Sequence, residues 1–232
     1  MTTFALHGMM GHYRDWESLG PDLQAVDLWR VGGVSKFESW SRAFNRSTGG
    51  AGSRVLVGYS MGGRLALHAL LDQPGHWHGA VVVSAHPGLQ DENERALRLQ
   101  NDLRWAERAR NLAWDDFLDL WNRQAVLKSA SGSKWQLALE GRREKVAQAF
   151  EFWSLGNQAD LRPALSRCAT PVLWVTGGLD GKFTRLAEEV VAGNDCFEQV
   201  VIPGAGHRLL FENEASQKAL KSLIGDFQKR IL

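Results

Sequence analysis

Residues 54–72 run Arg54-Val55-Leu56-Val57-Gly58-Tyr59-Ser60-Met61-Gly62-Gly63-Arg64-Leu65-Ala66-Leu67-His68-Ala69-Leu70-Leu71-Asp72, and their reading decides the architecture. An apolar run ends at Gly58, a G-x-S-x-G pentapeptide follows, and an apolar helical pattern continues over residues 63–71. Strand, tight turn and helix in that order make Ser60 a candidate nucleophile. Such a turn is sharp enough to hold the serine in a strained conformation. Small residues two positions away on each side, here Gly58 and Gly62, avoid clashes there. The turn lifts the hydroxyl clear of the sheet and sets it at a helix N-terminus, where backbone N–H groups favour negative charge.

Further short apolar runs lie outward from this turn, at residues 3–6, 25–29, 80–83, 172–175 and 197–202. Most are apolar on both alternating sets, as parallel strands buried on both faces are. Helical patterns at 63–71, 182–192 and 214–231 separate several of them. The alternation predicts an α/β chain, with a mostly parallel sheet of about six strands flanked by helices. Residues 86–170 break it, with almost no strand character. Residues 91–110 form one long charged helical pattern, and 115–127, 134–139 and 144–153 form shorter ones. A helical insertion late in a parallel sheet caps the C-terminal edge, where open α/β sheets bind ligands. The expected organisation is a core of residues 1–85 and 171–232 with a cap of residues 86–170.

The length of 232 residues suits one domain with an insertion and buries a core without staples. A net charge of +1 gives no global signal for nucleic acid or an anionic membrane. Cys168 and Cys196 make no disulfide framework and no CxxC pattern, and are expected to be small buried hydrophobes. The N-terminus has no basic region or cleavage pattern, and no apolar run approaches the roughly 20 residues that span a bilayer. A cytoplasmic location without membrane insertion is expected.

A serine hydroxyl needs a base. Asp180 follows the run Val172-Leu173-Trp174-Val175, and His207 follows residues 197–202 and the flexible Gly204-Ala205-Gly206. Both fall in loops after the last two strands, at the edge that carries Ser60. The order serine, acid, histidine is that of a triad on this kind of sheet. Leu6-His7-Gly8 closes the first strand, so the backbone N–H of Met9 is a candidate to join that of Met61 in an oxyanion hole. His7 is expected to be structural.

These segments together resemble the α/β-hydrolase superfamily across the whole chain, which implies the α/β-hydrolase fold. Three further segments narrow the resemblance: His86-Pro87-Gly88-Leu89-Gln90, Arg95-Ala96-Leu97-Arg98 and Leu179-Asp180-Gly181-Lys182-Phe183. With Gly58-Tyr59-Ser60-Met61-Gly62-Gly63-Arg64 they are similar to the MenH family, the 2-succinyl-6-hydroxy-2,4-cyclohexadiene-1-carboxylate synthases of menaquinone biosynthesis. The resemblance implies a lyase that removes a ring proton and expels pyruvate from a substrate with carboxylates, a succinyl arm and an enolpyruvyl ether. It also implies that Tyr59, Arg64, Arg98, Trp121 and Lys182 line the substrate site. Residues 154–158, before Asp160-Leu161-Arg162, resemble the end of the family's cap.

Two departures stand out. Asp27-Leu28-Trp29-Arg30-Val31-Gly32-Gly33 replaces the D-x-P-G-H-G-x-S loop of many relatives, near the site entrance. The sequence also opens on the strand ending at His7-Gly8, so a short sheet is expected.

The residues themselves agree on charge. Arg64 lies four residues past Ser60, Lys182 two past Asp180, and Arg95 and Arg98 share a helix face. Arginine's planar fork suits carboxylates, and a small polycarboxylate is the expected partner. Trp114 and Trp121, seven apart, share a face with the spacing of core packing. No cofactor is expected. His76 and His78 lack a metal-ligand set, Gly49-Gly50-Ala51-Gly52 opens no helix, and Arg142-Arg143 is too short for nucleic acid. Two other functions fit the same motifs: a carboxylesterase or C–C bond hydrolase acting on an acidic substrate, and a ligand-binding protein on a hydrolase fold. The sequence leaves the oligomeric state open.

Overall fold

The computed structural model describes residues 1–20, 22–30 and 33–231. Among the described residues six strands form one sheet: β1 (Thr2–Leu6), β2 (Leu23–Val26), β3 (Arg54–Tyr59), β4 (Gly79–Val83), β5 (Val172–Gly177) and β6 (Phe197–Ile202). Their order is β2-β1-β3-β4-β5-β6, and every neighbouring pair is parallel. With all strands pointing one way, the loops after β1, β3, β4, β5 and β6 open at a single edge. That edge carries Met9, Ser60, His86, Asp180 and His207.

Among the described residues eight α-helices accompany the sheet: α1 (Phe37–Ser47), α2 (Met61–Asp72), α3 (Glu92–Asn111), α4 (Trp114–Asn122), α5 (Arg143–Phe152), α6 (Arg162–Leu165), α7 (Gly181–Val191) and α8 (Glu214–Arg230). Side chains alternate along each strand, so each strand feeds two cores. Phe4, Leu56, Val82 and Trp174 pack with residues of α1, α2 and α7. Val57, Val81 and Val175 pack against Trp16, from the 3-10 helix Tyr13–Leu19, and against Ile224 and Phe227 of α8. Continuous apolar runs were the right sign of strands covered on both faces.

Between β4 and β5 the chain leaves the sheet for α3, α4 and α5. Asp91 caps α3 through the Glu94 N–H at 2.8 Å, and acidic residues in its first turn and basic ones in its last suit the helix dipole. Trp105, Phe117, Trp121 and Phe150 form an aromatic centre, with Trp121 5.4 Å from both Trp105 and Phe150, ring to ring. Trp153 meets Trp40 of α1 edge-on at 6.1 Å, so the insertion shares a core with the sheet's helices.

Several expectations need correction. The second strand is Leu23–Val26, not residues 25–29. Asp27 turns the chain by accepting the Trp29 N–H at 3.1 Å, and Trp29 is buried as a loop residue whose indole donates to Gly11 O at 3.0 Å. The helix expected over 115–127 ends at Asn122, and Ala125–Leu127 is a separate 3-10 turn. Residues 134–139 give way to the 3-10 helix Gln136–Arg142. Cys196 is exposed and Cys168 half-buried, because both sit in the turns around β5 and β6 instead of inside an element. Helix α1 went unread, although Phe37, Trp40 and Phe44 mark its buried face. In the loop from Asp27 to Gly33, Val31 and Gly32 lie outside the described residues. No described helix is long and apolar enough to cross a membrane.

Candidate active site

Ser60 sits at φ 52°, ψ −109°, a left-handed conformation that few side chains adopt. Its N–H donates to Val83 O at 2.8 Å, which fixes the turn to β4. A Cβ on Gly62 would strike the carbonyl oxygens of Leu6 and His7, and one on Gly58 would fall 2.5 Å from Gly62 O. The flanking glycines are therefore a matter of space, since backbone from β1 and α2 presses on both.

Ser60 Oγ lies 3.1 Å from His207 Nε2, and His207 Nδ1 lies 2.7 Å from Asp180 Oδ2. With Nδ1–H donating to the carboxylate, Nε2 keeps its lone pair toward the serine hydroxyl. Asp180 and His207 are buried. Asp180 stands at the N-terminus of α7 but makes no capping bond, so its carboxylate is left to the imidazole. The Phe183 ring, 4.5 Å from that of His207, packs against it.

Met61 is the first residue of α2, where no carbonyl one turn back is available to its N–H. Met9 lies in a turn closed by Gly11 N–H to Gly8 O at 3.0 Å. A Cβ on Gly8 would come within 2.8 Å of the Tyr59 ring and 3.5 Å of Ser60 Cβ, so this turn lies directly against the serine. His7 is structural. Nδ1–H donates to Gly8 O at 2.9 Å, and Nε2 accepts the Leu28 N–H at 3.3 Å. Burial lowers its pKa to about 4, so the ring stays neutral.

Ser60 and His207 open into a cavity of about 280 Å³. Met9, Met61, Tyr59, Arg64, Arg98, Trp121 and Lys182 all line it. Arg64 is buried and donates to Gln158 Oε1 at 3.1 Å and Trp153 O at 2.8 Å. Burial pulls its pKa down to about 9, which leaves it cationic at neutral pH. Arg98 pairs with Asp102 at 2.8 Å, and Ser154 donates to the same carboxylate at 2.8 Å. Lys182 is exposed. Arg95 is not brought in, since it is bound to Glu92 and Gly156 O. Trp114 stays in the cap's core and donates to Gln136 O. His76 and His78 bond to Thr48 and the Arg54 N–H.

Several residues that shape this site have no role in the sequence reading. Gln158 holds Arg64 and donates to His86 O at 3.0 Å, which explains the cap-end segment 154–158. His86 accepts the Gly88 N–H at 3.0 Å, and burial lowers its pKa to about 3, so it adds no charge. Asp15 accepts from His12 N–H at 2.7 Å and from Ser133 Oγ at 2.5 Å, joining the first loop to the cap. Burial raises its pKa to about 6 despite these donors. Arg208, next to His207, also lines the cavity. Only its position beside the histidine marked it in the sequence.

Known proteins resemble the chain at two levels. The alpha/beta hydrolase family matches residues 4–218. The chain is 36% identical over 226 residues to the 2-succinyl-6-hydroxy-2,4-cyclohexadiene-1-carboxylate synthase of Salmonella agona (strain SL483), covering 90% of this chain and 88% of that protein. The synthase of Salmonella paratyphi C (strain RKS4594) is 35% identical over the same coverage. Among solved structures, MenH from S. aureus superposes with a TM-score of 0.86 at 22% identity, covering 100% of this chain and 94% of that one. A thermophilic esterase from Thermogutta terrifontis gives 0.76 at 18% identity, with 100% and 90% covered.

Proposed function

The chain belongs to the alpha/beta hydrolase family, and within it to the 2-succinyl-6-hydroxy-2,4-cyclohexadiene-1-carboxylate synthases; from that premise we propose that it is a lyase that expels pyruvate from the enolpyruvyl-succinyl-cyclohexene-carboxylate intermediate of menaquinone biosynthesis. The observation that carries this reading is a serine–histidine–aspartate chain opening into a cavity that Arg64, Arg98 and Lys182 also line. A cavity for neutral acyl groups gains nothing from three cations, whereas a tricarboxylate needs them.

Ser60 and His207 act together as the base that removes the ring proton. The electron pair of that C–H bond moves onto the succinyl carbonyl, where the N–H groups of Met9 and Met61 stabilise the oxyanion. As the carbonyl re-forms, the pair returns through the ring and breaks the ring C–O bond. The departing enolpyruvyl oxygen takes its proton back from His207 and leaves as enolpyruvate, which tautomerises to pyruvate by moving that proton from oxygen to the methylene carbon. Asp180 orients the imidazole and stabilises its charged form. Tyr59 and Trp121 present the ring to the serine, and Arg64, Arg98 and Lys182 hold its carboxylates. The product stays whole, and no water is consumed.

Hydrolysis of an acidic ester or a C–C bond is the second reading, favoured by the same triad. Pyruvate release from the enolpyruvyl intermediate by the purified protein tests the first, beside a Ser60→Ala control. Turnover in the parent that falls by about 10⁴ or more in the variant, with an unchanged melting temperature, is expected. A folded parent that releases no pyruvate sinks the lyase reading, and a Ser60→Ala variant with near-parent rates sinks the triad.

A further inference from the structure

Three arginines line the cavity, Arg64, Arg98 and Arg208, and they differ in what neutralises them. Arg98 is paired with the Asp102 carboxylate. Arg208 is 4% exposed, yet both its bonds go to neutral oxygens, Ala130 O at 2.8 Å and Asn122 Oδ1 at 2.5 Å. Among the described residues no carboxylate lies within 4.0 Å of it. The acid nearest in effect, Glu212, has an oxygen committed to the Gly206 N–H at 2.8 Å. A buried cation without a counter-ion is costly unless a ligand brings one.

Arg208 also stands apart from the other cations. Arg64, Arg98 and Lys182 all act electrostatically on His86, and Arg98 acts on Arg64. The charge that bears on Arg208 is that of Glu212, beside the Tyr59 hydroxyl that burial keeps protonated, and none of that cluster acts on it. Its anchors differ as well: Arg208 is held by the end of α4 and the loop at Ala130, and Arg64 by Trp153 and Gln158. Around both, the wall includes Trp105, Trp121, Leu127 and Phe150.

We infer that Arg208 is a second carboxylate-binding pole on the histidine side of the cavity, so that the ligand is an apolar ring with anionic groups reaching both Arg208 and the Arg64–Arg98–Lys182 cluster. This rests on the polycarboxylate reading of the site, and it adds a specificity-determining residue. Lying beside His207 in the chain, Arg208 fixes one end of the substrate relative to the base. Its bonds to Asn122 and Ala130 hold the guanidinium in place before the ligand arrives, which lowers the ordering cost of binding.

Two measurements on the full chain test this. The first titrates the parent, Arg208→Gln and Arg208→Lys with isophthalate and with benzoate, followed by tryptophan emission. The parent should bind the dicarboxylate at least about tenfold more tightly than the monocarboxylate. Arg208→Gln, which keeps a donor but not the charge, should erase that preference, and Arg208→Lys should restore most of it. Equal isophthalate affinity in the parent and Arg208→Gln overturns the proposal. The second measures pyruvate release, where Arg208→Gln should raise KM about tenfold or more and leave kcat within about threefold. A fall confined to kcat makes Arg208 a scaffold for the His207 loop and overturns it too. A parent that releases no pyruvate but shows the isophthalate pattern refutes the lyase reading and keeps the second pole.

Discussion

The turn after β3 and the cap above it both border the cavity, but they hold their residues by different means. At the turn the backbone does the work: Ser60 is held at positive φ, and Gly62 is pressed against Leu6 and His7 carbonyls. In the cap, position comes from side chains, as in Arg98 on Asp102 with Ser154 behind it, or Arg64 on Gln158. Backbone contacts leave almost no freedom, which suits atoms that must react within hydrogen-bond distance. Side-chain pairs can be exchanged one at a time, which suits the choice of ligand. One sheet can then keep its reacting atoms while the insertion sets what reaches them.

Gly62→Ala gives the largest effect and is the most direct way to break this contrast. Its methyl has no room against fixed carbonyls, so a loss of about 3–5 kcal/mol in denaturant unfolding is expected. A variant as stable as the parent would mean that the turn is as adaptable as the cap. Arg98→Ala comes next. It should raise KM for the tricarboxylate about 10–100-fold and lower kcat/KM for a small neutral ester far less. Equal loss on both substrates would put Arg98 among the groups that position the serine.

Asp15→Asn has the smallest effect and probes the seam between the first loop and the cap. Burial lifts Asp15 from 3.8 to about 6, so between those values the folded chain holds a proton that the unfolded chain has released. The stability this group contributes is complete below the unfolded value and is lost as the pH rises through about 6. Asn carries no such charge. The variant should therefore gain on the order of 1–2 kcal/mol relative to the parent between about pH 4 and pH 7 in denaturant titrations. Parallel stability curves would remove Asp15 from the pH response.

Legibility in the sequence followed the same division. The sheet could be read because four of its six strands, β1, β3, β4 and β5, are apolar on both faces, and Asp180 and His207 because each lies in the loop after one of the last two strands. Helix α1 hid behind Ser39, Ser41, Asn45 and Ser47, residues of modest helix propensity that dilute its apolar stripe. The 3-10 turns of the cap are too short to show a period. The support of the site was the least visible. Ser154 meets Asp102 across 52 residues and Ser133 meets Asp15 across 118, and no local pattern announces such pairs. Arg98 and Lys182 were legible through the family resemblance, with their charge in agreement, but whether each was already paired was not.

The placement of the cap has a consequence for how the chain is made. Strands β4 and β5 are neighbours, Ala80 beside Val172, yet the whole insertion lies between them. As the polypeptide leaves the ribosome, Ser60 emerges long before Asp180 and His207. The half-made sheet must wait with an open edge at β4 until β5 arrives. The insertion is built of helices with local contacts, which form fast, and their packing shortens the loop that must close before β5 pairs with β4. The segment that covers the cavity in the finished protein thus shields the growing one from pairing its exposed strand with a neighbour's.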